Sequence, residues 1–325
     1  MFANQKAIMS KKLLIDTDPG VDDAMAILFA LNSPELDLVG LTTIYGNVYV
    51  EQATENALRI LEFAGHGDVP VAQGAAKPLL TPLEGVADFV HGSDGLGETH
   101  QPPPQGKAVD QPAAEFIVDA IMANPGQITL MPVGPLTNIA IAVELEPRIV
   151  DNVAQVVIMG GAATVNGNVN PAAEANIWGD PHAADIVFGA GWPLTMVGLD
   201  VTMQIVMDAA YLDALRDEGG RTAAYIHDIT RFYLDFHRQI HGLDGLHTHD
   251  PSAVAYAIDP TLFTTISGGM RVLTEGIAAG MTLMDRRGEW YGEHAWTGRP
   301  PVGVCVEVDA ERLLALYRER IVAAP

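Results

Sequence analysis

The chain has 325 residues, 48% of them apolar and 18% charged, which is material for a large buried core and not the composition of a disordered protein. Its 18 basic and 41 acidic side chains give a formal net charge of -23. So acidic a surface repels phosphate backbones and anionic lipid headgroups, which argues against nucleic acid or membrane as a partner.

Cys305 is the only cysteine, which excludes an intrachain disulfide and a thiolate zinc site. Residues 1–12 lack the apolar core of a secretory signal and read as a flexible N-terminus. The longest apolar runs, such as Ala24 to Leu31, are too short to span a bilayer. These features together predict a cytoplasmic protein.

Short apolar runs alternate with helical patterns from the start of the chain. Leu13-Leu14-Ile15 reads as a strand, Ala24 to Leu31 as a buried helix, Leu38 to Ile44 as a second strand, and Glu51 to Ala64 as a helix closed by Gly65. Residues 74–112, rich in Gly and Pro, read as a long functional loop. Further strands fall at Ile128 to Val133, Gln155 to Met159 and Leu194 to Leu199. Helices around Ala114 to Met122, Asn138 to Leu145 and Pro181 to Phe188 separate them. Residues 208–242 hold two helical segments without a strand between them, a helical cap over a site. From Phe263 short strands precede a final helix, Ala310 to Ile321. This rhythm predicts one α/β domain with a mostly parallel central sheet flanked by helices, a Rossmann-like core.

The segment Asp16-Thr17-Asp18-Pro19-Gly20-Val21-Asp22-Asp23 places four carboxylates at a strand-to-helix junction. In open α/β sheets ligands bind at this carboxyl end of the strands. The dipole of the helix accounts for Asp22 and Asp23 in its first turn, but not for Asp16 and Asp18 as well. A hard divalent cation with oxygen ligands relieves the repulsion. An EF-hand loop does not fit: counted from Asp16, the sixth residue is Val21 and the twelfth Ile27, where glycine and glutamate are needed. A phosphate-binding loop needs Gly-Lys-Ser/Thr, which is absent here.

The same segment resembles the N-terminal signature of the inosine-uridine-preferring nucleoside hydrolases. Thr42-Thr43-Ile44-Tyr45-Gly46-Asn47, Pro132-Val133-Gly134-Pro135-Leu136-Thr137-Asn138, Met159-Gly160-Gly161, Gly167-Asn168, Glu174-Ala175-Asn176, Asp180-Pro181 and His249-Asp250-Pro251 are similar to later landmarks of that family, in order. The last sixty residues carry no such landmark.

The resemblance implies hydrolysis of the N-glycosidic bond of ribonucleosides, with Ca2+ held by Asp18, Asp23, Asp250 and the main-chain carbonyl of Val133. It implies Asp18 as the general base toward the attacking water. Asp22, Asn47, Asn168, Glu174 and Asn176 would hold the ribose, with Met159 and His91 also at the substrate. His249 would assist the leaving base, and His237, His241 and His247 crowd the same region. It also implies a homo-oligomer, dimer or tetramer.

Position 175 departs from the pattern, since some purine-accepting members carry an aromatic residue there and this chain has Ala175. That tilts the expected base toward uridine or cytidine. Tyr225, Phe232, Tyr233 and Phe236, at helical spacing, are candidates to supply aromatic contacts instead. Other readings are hydrolysis of a different N-riboside such as nicotinamide riboside, a magnesium-dependent phosphatase of the haloacid dehalogenase type, and a non-catalytic nucleoside-binding protein.

Overall fold

The computed structural model describes residues 10–325. Its centre is a nine-stranded sheet among the described residues. The strands are β1 (Lys11–Thr17), β2 (Leu36–Thr43), β3 (Val71–Gln73), β4 (Ile128–Pro132), β5 (Gln155–Met159), β6 (Leu194–Val197), β9 (Phe263–Val272), β10 (Thr282–Asp285) and β11 (Pro301–Val308). Their order is β10-β9-β11-β6-β5-β4-β1-β2-β3. The run from β11 to β3 is parallel, and β9 and β10 add antiparallel strands at one edge. The expected mostly parallel α/β fold is what the chain adopts.

Strand order decides where a ligand can sit. From β1 the chain builds outward through β2 to β3, then returns to place β4 on the other side of β1. The connections above β1 and β4 therefore diverge to opposite faces, leaving a crevice at their carboxyl ends. Asp16 pairs with Pro132 across these strands, and the Val133 amide donates to the Asp16 carbonyl at 2.8 Å. The aspartate segment and the Val133 loop thus meet at the switch point.

Helix α1 (Val21–Leu31) is apolar nearly all round and buried from Val21 to Ala30, as the run Ala24 to Leu31 predicts. It packs against α2 (Val50–Ala64), α11 (Arg221–His241) and α12 (Asp250–Ile258). Burying side chains such as Ile27, Leu28 and Phe29 contributes about 1.5–3 kcal/mol each, which fixes the helix that carries Asp22 and Asp23. Gly65 ends α2 in the left-handed conformation, φ 79°.

The region 208–242 holds two helices, α10 (Ala209–Glu218) and α11, bracketed by the two-stranded pair β7 (Val206–Asp208) and β8 (Gly245–His247). Only the second half of α11 faces the cavity described below; α10 packs on α11 and on the last helix, α13 (Ala310–Val322). The cap is thus narrower than the sequence pattern suggested. Lys11 and Lys12 belong to β1, so the expected flexible segment 1–12 is too long, and residues 1–9 lie outside the described ones. Among the described residues no helix is long and apolar enough to cross a membrane.

Candidate active site

A cavity of 910 Å³ opens at the carboxyl ends of β1 and β4. All four elements expected to form the site reach it: the β1–α1 junction, the Val133 loop, the 159–182 stretch and the start of α12.

Asp22 and Asp23 occupy the first turn of α1, and Asp250 is the first residue of α12. Carboxylate oxygens of these three buried residues lie within 4.8 Å of one another. Asp250 does not cap its helix. His249 holds that position, without a side-chain capping hydrogen bond.

Asp23 is the most supported carboxylate. It accepts from the Thr17 hydroxyl at 2.5 Å, the Gly20 amide at 2.9 Å and the Asn47 side-chain amide at 2.8 Å. Asp18 accepts the Asn47 backbone amide at 2.6 Å on Oδ2, while its Oδ1 is buried without a partner, as is Asp22 Oδ1. Burial raises the pKa of Asp18 and Asp250 well above the usual carboxylate range and of Asp22 to about 8, with mutual repulsion adding to it. Orphaned buried oxygens and converging like charges are what a hard cation neutralises, so this residue set fits a divalent metal.

Two glycines make room for Asp18. A Cβ on Gly134 would stand 2.5 Å from Asp18 Oδ1, and one on Gly46 would overlap Oδ2. Both belong to the loops singled out in the sequence.

Asp16 is a different case from its neighbours. Its Oδ1 accepts from the Thr42 hydroxyl at 2.5 Å and Asn138 Nδ2 at 2.8 Å, so it braces β1 against β2 and the helix after β4, α5 (Thr137–Leu145). It does not join the three-carboxylate group, and burial pushes its pKa up to about 7.

The residues expected at the ribose all line the cavity, but several already have protein partners. Glu174 is the N-cap of the short helix Ala175–Gly179. Its carboxylate accepts from the amides of Asn176, Ile177 and Gly161 at 2.8–3.1 Å. Asn176 Nδ2 donates to the carbonyls of Val133, at 2.9 Å, and Met159, at 3.0 Å. Asn168 Oδ1 accepts the Ala175 amide at 3.0 Å. Asn47 ties the two aspartates of the first loop together, as described.

His91 Nδ1 accepts the Val21 amide at 3.2 Å, which leaves Nε2 to carry the proton, and its ring stacks on Tyr233 with centroids 5.2 Å apart. His249 Nδ1 meets the Thr202 hydroxyl at 2.9 Å. Burial holds His249 well below, and His91 at about 3 against, the usual histidine range, so both rings are neutral near pH 7. His237, His241 and His247 complete the five-histidine wall that the sequence crowded together.

Of the four candidate aromatics, Tyr233 and Phe236 line the cavity. Tyr225 stacks on Phe63 in the core at 4.2 Å, and Phe232 does not reach the cavity. Tyr45, Trp178 and His182 also line it, and sequence reasoning missed them. Tyr45 lay within a quoted motif, and His182 follows Asp180-Pro181, so adjacency was the only available signal.

The sequence matches the family model described as inosine-uridine preferring nucleoside hydrolase over residues 13–315. The chain belongs to that family. The match continues well past the last landmark legible in the sequence, through β9 to β11. The hydrolase is 49% identical to a probable uridine nucleosidase 2 of Arabidopsis thaliana over 313 residues, 96% of this chain and 97% of the relative. Among solved structures, a plant nucleoside hydrolase superposes with TM-score 0.95 at 46% identity, covering 97% of this chain and all of the other. A purine-preferring ribonucleoside hydrolase from Gardnerella vaginalis superposes with TM-score 0.90 at 40% identity, covering 97% and 99%. This nucleoside hydrolase is thus an enzyme of ribonucleoside hydrolysis, with a cavity carrying an acidic cluster able to bind a metal.

Proposed function

We propose that the enzyme hydrolyses pyrimidine ribonucleosides, uridine foremost, to ribose and free base, with Ca2+ held by Asp18, Asp23, Asp250 and the Val133 carbonyl. The observation that carries this reading is the convergence of buried Asp22, Asp23 and Asp250, a group that does not include Asp18; Asp22 and Asp250 line the cavity together with Asp18, whose Oδ1 has no partner among the described residues. A divalent ion there supplies charge neutralisation, a grip on ribose hydroxyls and polarisation of water.

The chain's own residues do the rest. Asp18 accepts a proton from the water attacking the anomeric carbon, its orientation fixed by the Asn47 amide. Asp22, Asn47, Asn168, Glu174 and Asn176, which line the cavity, would hold the sugar, with Met159 lining it beside them. Glu174, locked by three amides, acts mainly by holding the 159–177 backbone in place. His249, neutral and steadied by Thr202, donates a hydrogen bond to the departing base instead of delivering a full charge. His91, through Nε2–H, is placed to do the same from the opposite loop.

The pyrimidine preference rests on Ala175, which lines the cavity with a methyl group where a ring would stack on a larger base. The uridine nucleosidase relative is in line with it; the purine-preferring structural relative is not, and a substrate panel of uridine, cytidine, inosine, adenosine and nicotinamide riboside decides between them. A phosphatase reading is disfavoured because, among the described residues, no Lys or Arg lines the cavity to meet a phosphate. Release of free ribose from uridine, lost in Asp18→Asn, is the direct test of the activity and separates it from mere nucleoside binding.

We further propose a homo-oligomer of two or four chains, supported by exposed Ile277, Trp290 and Tyr291, with light scattering as the test. A reducing cytoplasmic setting suits the lone buried thiol of Cys305, and cell fractionation tests it.

A further inference from the structure

Asp180 is fully buried and, unlike its neighbours Gly179 and Pro181, does not itself line the cavity. It caps the helix α8 (Pro181–Gly189): its Oδ1 accepts the Ala183 amide at 3.0 Å, and a proline follows at the first helical position. A cap needs one oxygen, and serine or asparagine supplies it as well. A carboxylate brings a second oxygen into a place where an unpaired charge is costly, so that oxygen needs donors of its own.

Both donors come from outside the helix. The Thr137 hydroxyl, at the start of α5, donates to Asp180 Oδ2 at 2.8 Å, and so does the backbone amide of Leu79, also at 2.8 Å. With its proton given to the carboxylate, the Thr137 oxygen accepts from the Tyr45 hydroxyl at 2.9 Å. The Leu79 side chain packs on the apolar core. Beyond it, residues 80–86 make no hydrogen bond with the rest of the chain among the described residues, yet 81–86 line the cavity. The next tie is Ala87, whose amide donates to the Gly46 carbonyl at 3.2 Å. A strap thus runs along the cavity, tied at one end beside Asn47 and at the other to Asp180.

We infer that Asp180 is a positioning residue: through the Leu79 amide it fixes where the 80–86 strap stands, and with it how tightly the enzyme holds a nucleoside. Asp18 has supports that do not pass through Asp180, namely the Asn47 amide and the space cleared at Gly46 and Gly134. Tyr45 has the Gly179 carbonyl as a second acceptor at 3.1 Å. Loss of the anchor therefore weakens substrate and transition state alike, which raises KM and spares kcat. The inference rests on the cavity being where a ribonucleoside is hydrolysed, and not on which base or ion it takes.

The test compares three variants of the full-length enzyme. Asp180→Ser keeps a cap for α8 but is too short to reach Leu79, whereas Leu79→Pro removes the donor and leaves Asp180 in place. In each, KM for the best ribonucleoside of the substrate panel should rise about tenfold, with kcat within about threefold of the native value. A glutamate-specific protease should cut after exposed Glu84 at least about fivefold faster, read by intact mass. Thr137→Val strips the same Asp180 oxygen of its other donor but leaves Leu79 alone, so its cleavage should keep the native rate. Unchanged cleavage in the first two variants, equal acceleration in Thr137→Val, or a kcat that falls as far as kcat/KM overturns the inference. Melting curves check folding, and Leu79→Pro decides alone if Asp180→Ser does not fold. The protease readout uses no substrate, so a failure of the uridine assignment leaves it standing.

Discussion

Asn47 holds Asp18 and Asp23 with one residue: its backbone amide donates to Asp18 Oδ2 at 2.6 Å and its side-chain amide to Asp23 Oδ2 at 2.8 Å. The loop after β2 therefore sets the angle between the proposed base and a proposed metal ligand. Asn47→Ala removes only the second contact, leaving Asp23 with the Thr17 and Gly20 donors. Turnover should fall about 10-fold to 100-fold while the fold survives, as steady-state kinetics and a melting curve will show. Unchanged kinetics would leave Asn47 as a turn residue.

Asp18→Asn preserves size and the Asn47 contact but removes the proton acceptor. Turnover on uridine should drop by about 10³-fold with little change in melting temperature. Near-normal turnover would remove Asp18 as the base.

The buried carboxylates link metal and pH to stability. Asp22, held at about 8, and Asp18 and Asp250, also raised, bind protons in the folded state that the unfolded chain releases. In cation-free protein their contribution is greatest below the ordinary carboxylate value and is lost as pH rises through the raised folded values. Added Ca2+ should therefore raise the melting temperature more at about pH 8 than at about pH 5, by an amount that grows with concentration. Thermal scans with and without chelator check this, and an equal or larger gain at the lower pH contradicts it.

Position 175 offers a gain-of-contact test. Ala175→Phe should improve kcat/KM for inosine relative to uridine by about tenfold, equivalent to about 1–3 kcal/mol of stacking. A ratio that does not move would place the source of base preference elsewhere, in Tyr233, Phe236 and the histidine wall.

Cys305 is buried on β11 and its thiol is pushed up to about 12. Iodoacetamide should leave the native enzyme unmodified at about pH 8 and label it fully once denatured, read by intact mass. Rapid native labelling would mean that β11 opens readily.

Much of this site was legible because its residues are local. Asp18, Asp22 and Asp23 sit within one turn-forming segment, and the alternation of strands with apolar helices such as α1 placed that segment at a strand's carboxyl end. Asp250 was less accessible, since a lone Asp-Pro reads equally well as a helix cap, and only its distance in space from Asp22 and Asp23 separates the two uses. Asp16 shows the opposite failure: it shares the acidic segment, but its partners Thr42 and Asn138 lie on other strands and helices, which no local pattern reveals. The employment of Glu174 by three backbone amides and the turning of Tyr225 into the core are likewise matters of packing. The connection between β9 and β10 reaches the cavity with Thr274 and Ala279, residues without any chemical signature.

The most direct test of the whole account is the uridine-hydrolysing rate of chelator-stripped enzyme as Ca2+ is added back, for the native chain and for Asp250→Asn. Activity absent after stripping, restored by about one equivalent of Ca2+ in the native chain and not restored in the variant, is the predicted result. Full turnover of the stripped enzyme, or equal restoration in Asp250→Asn, would contradict it.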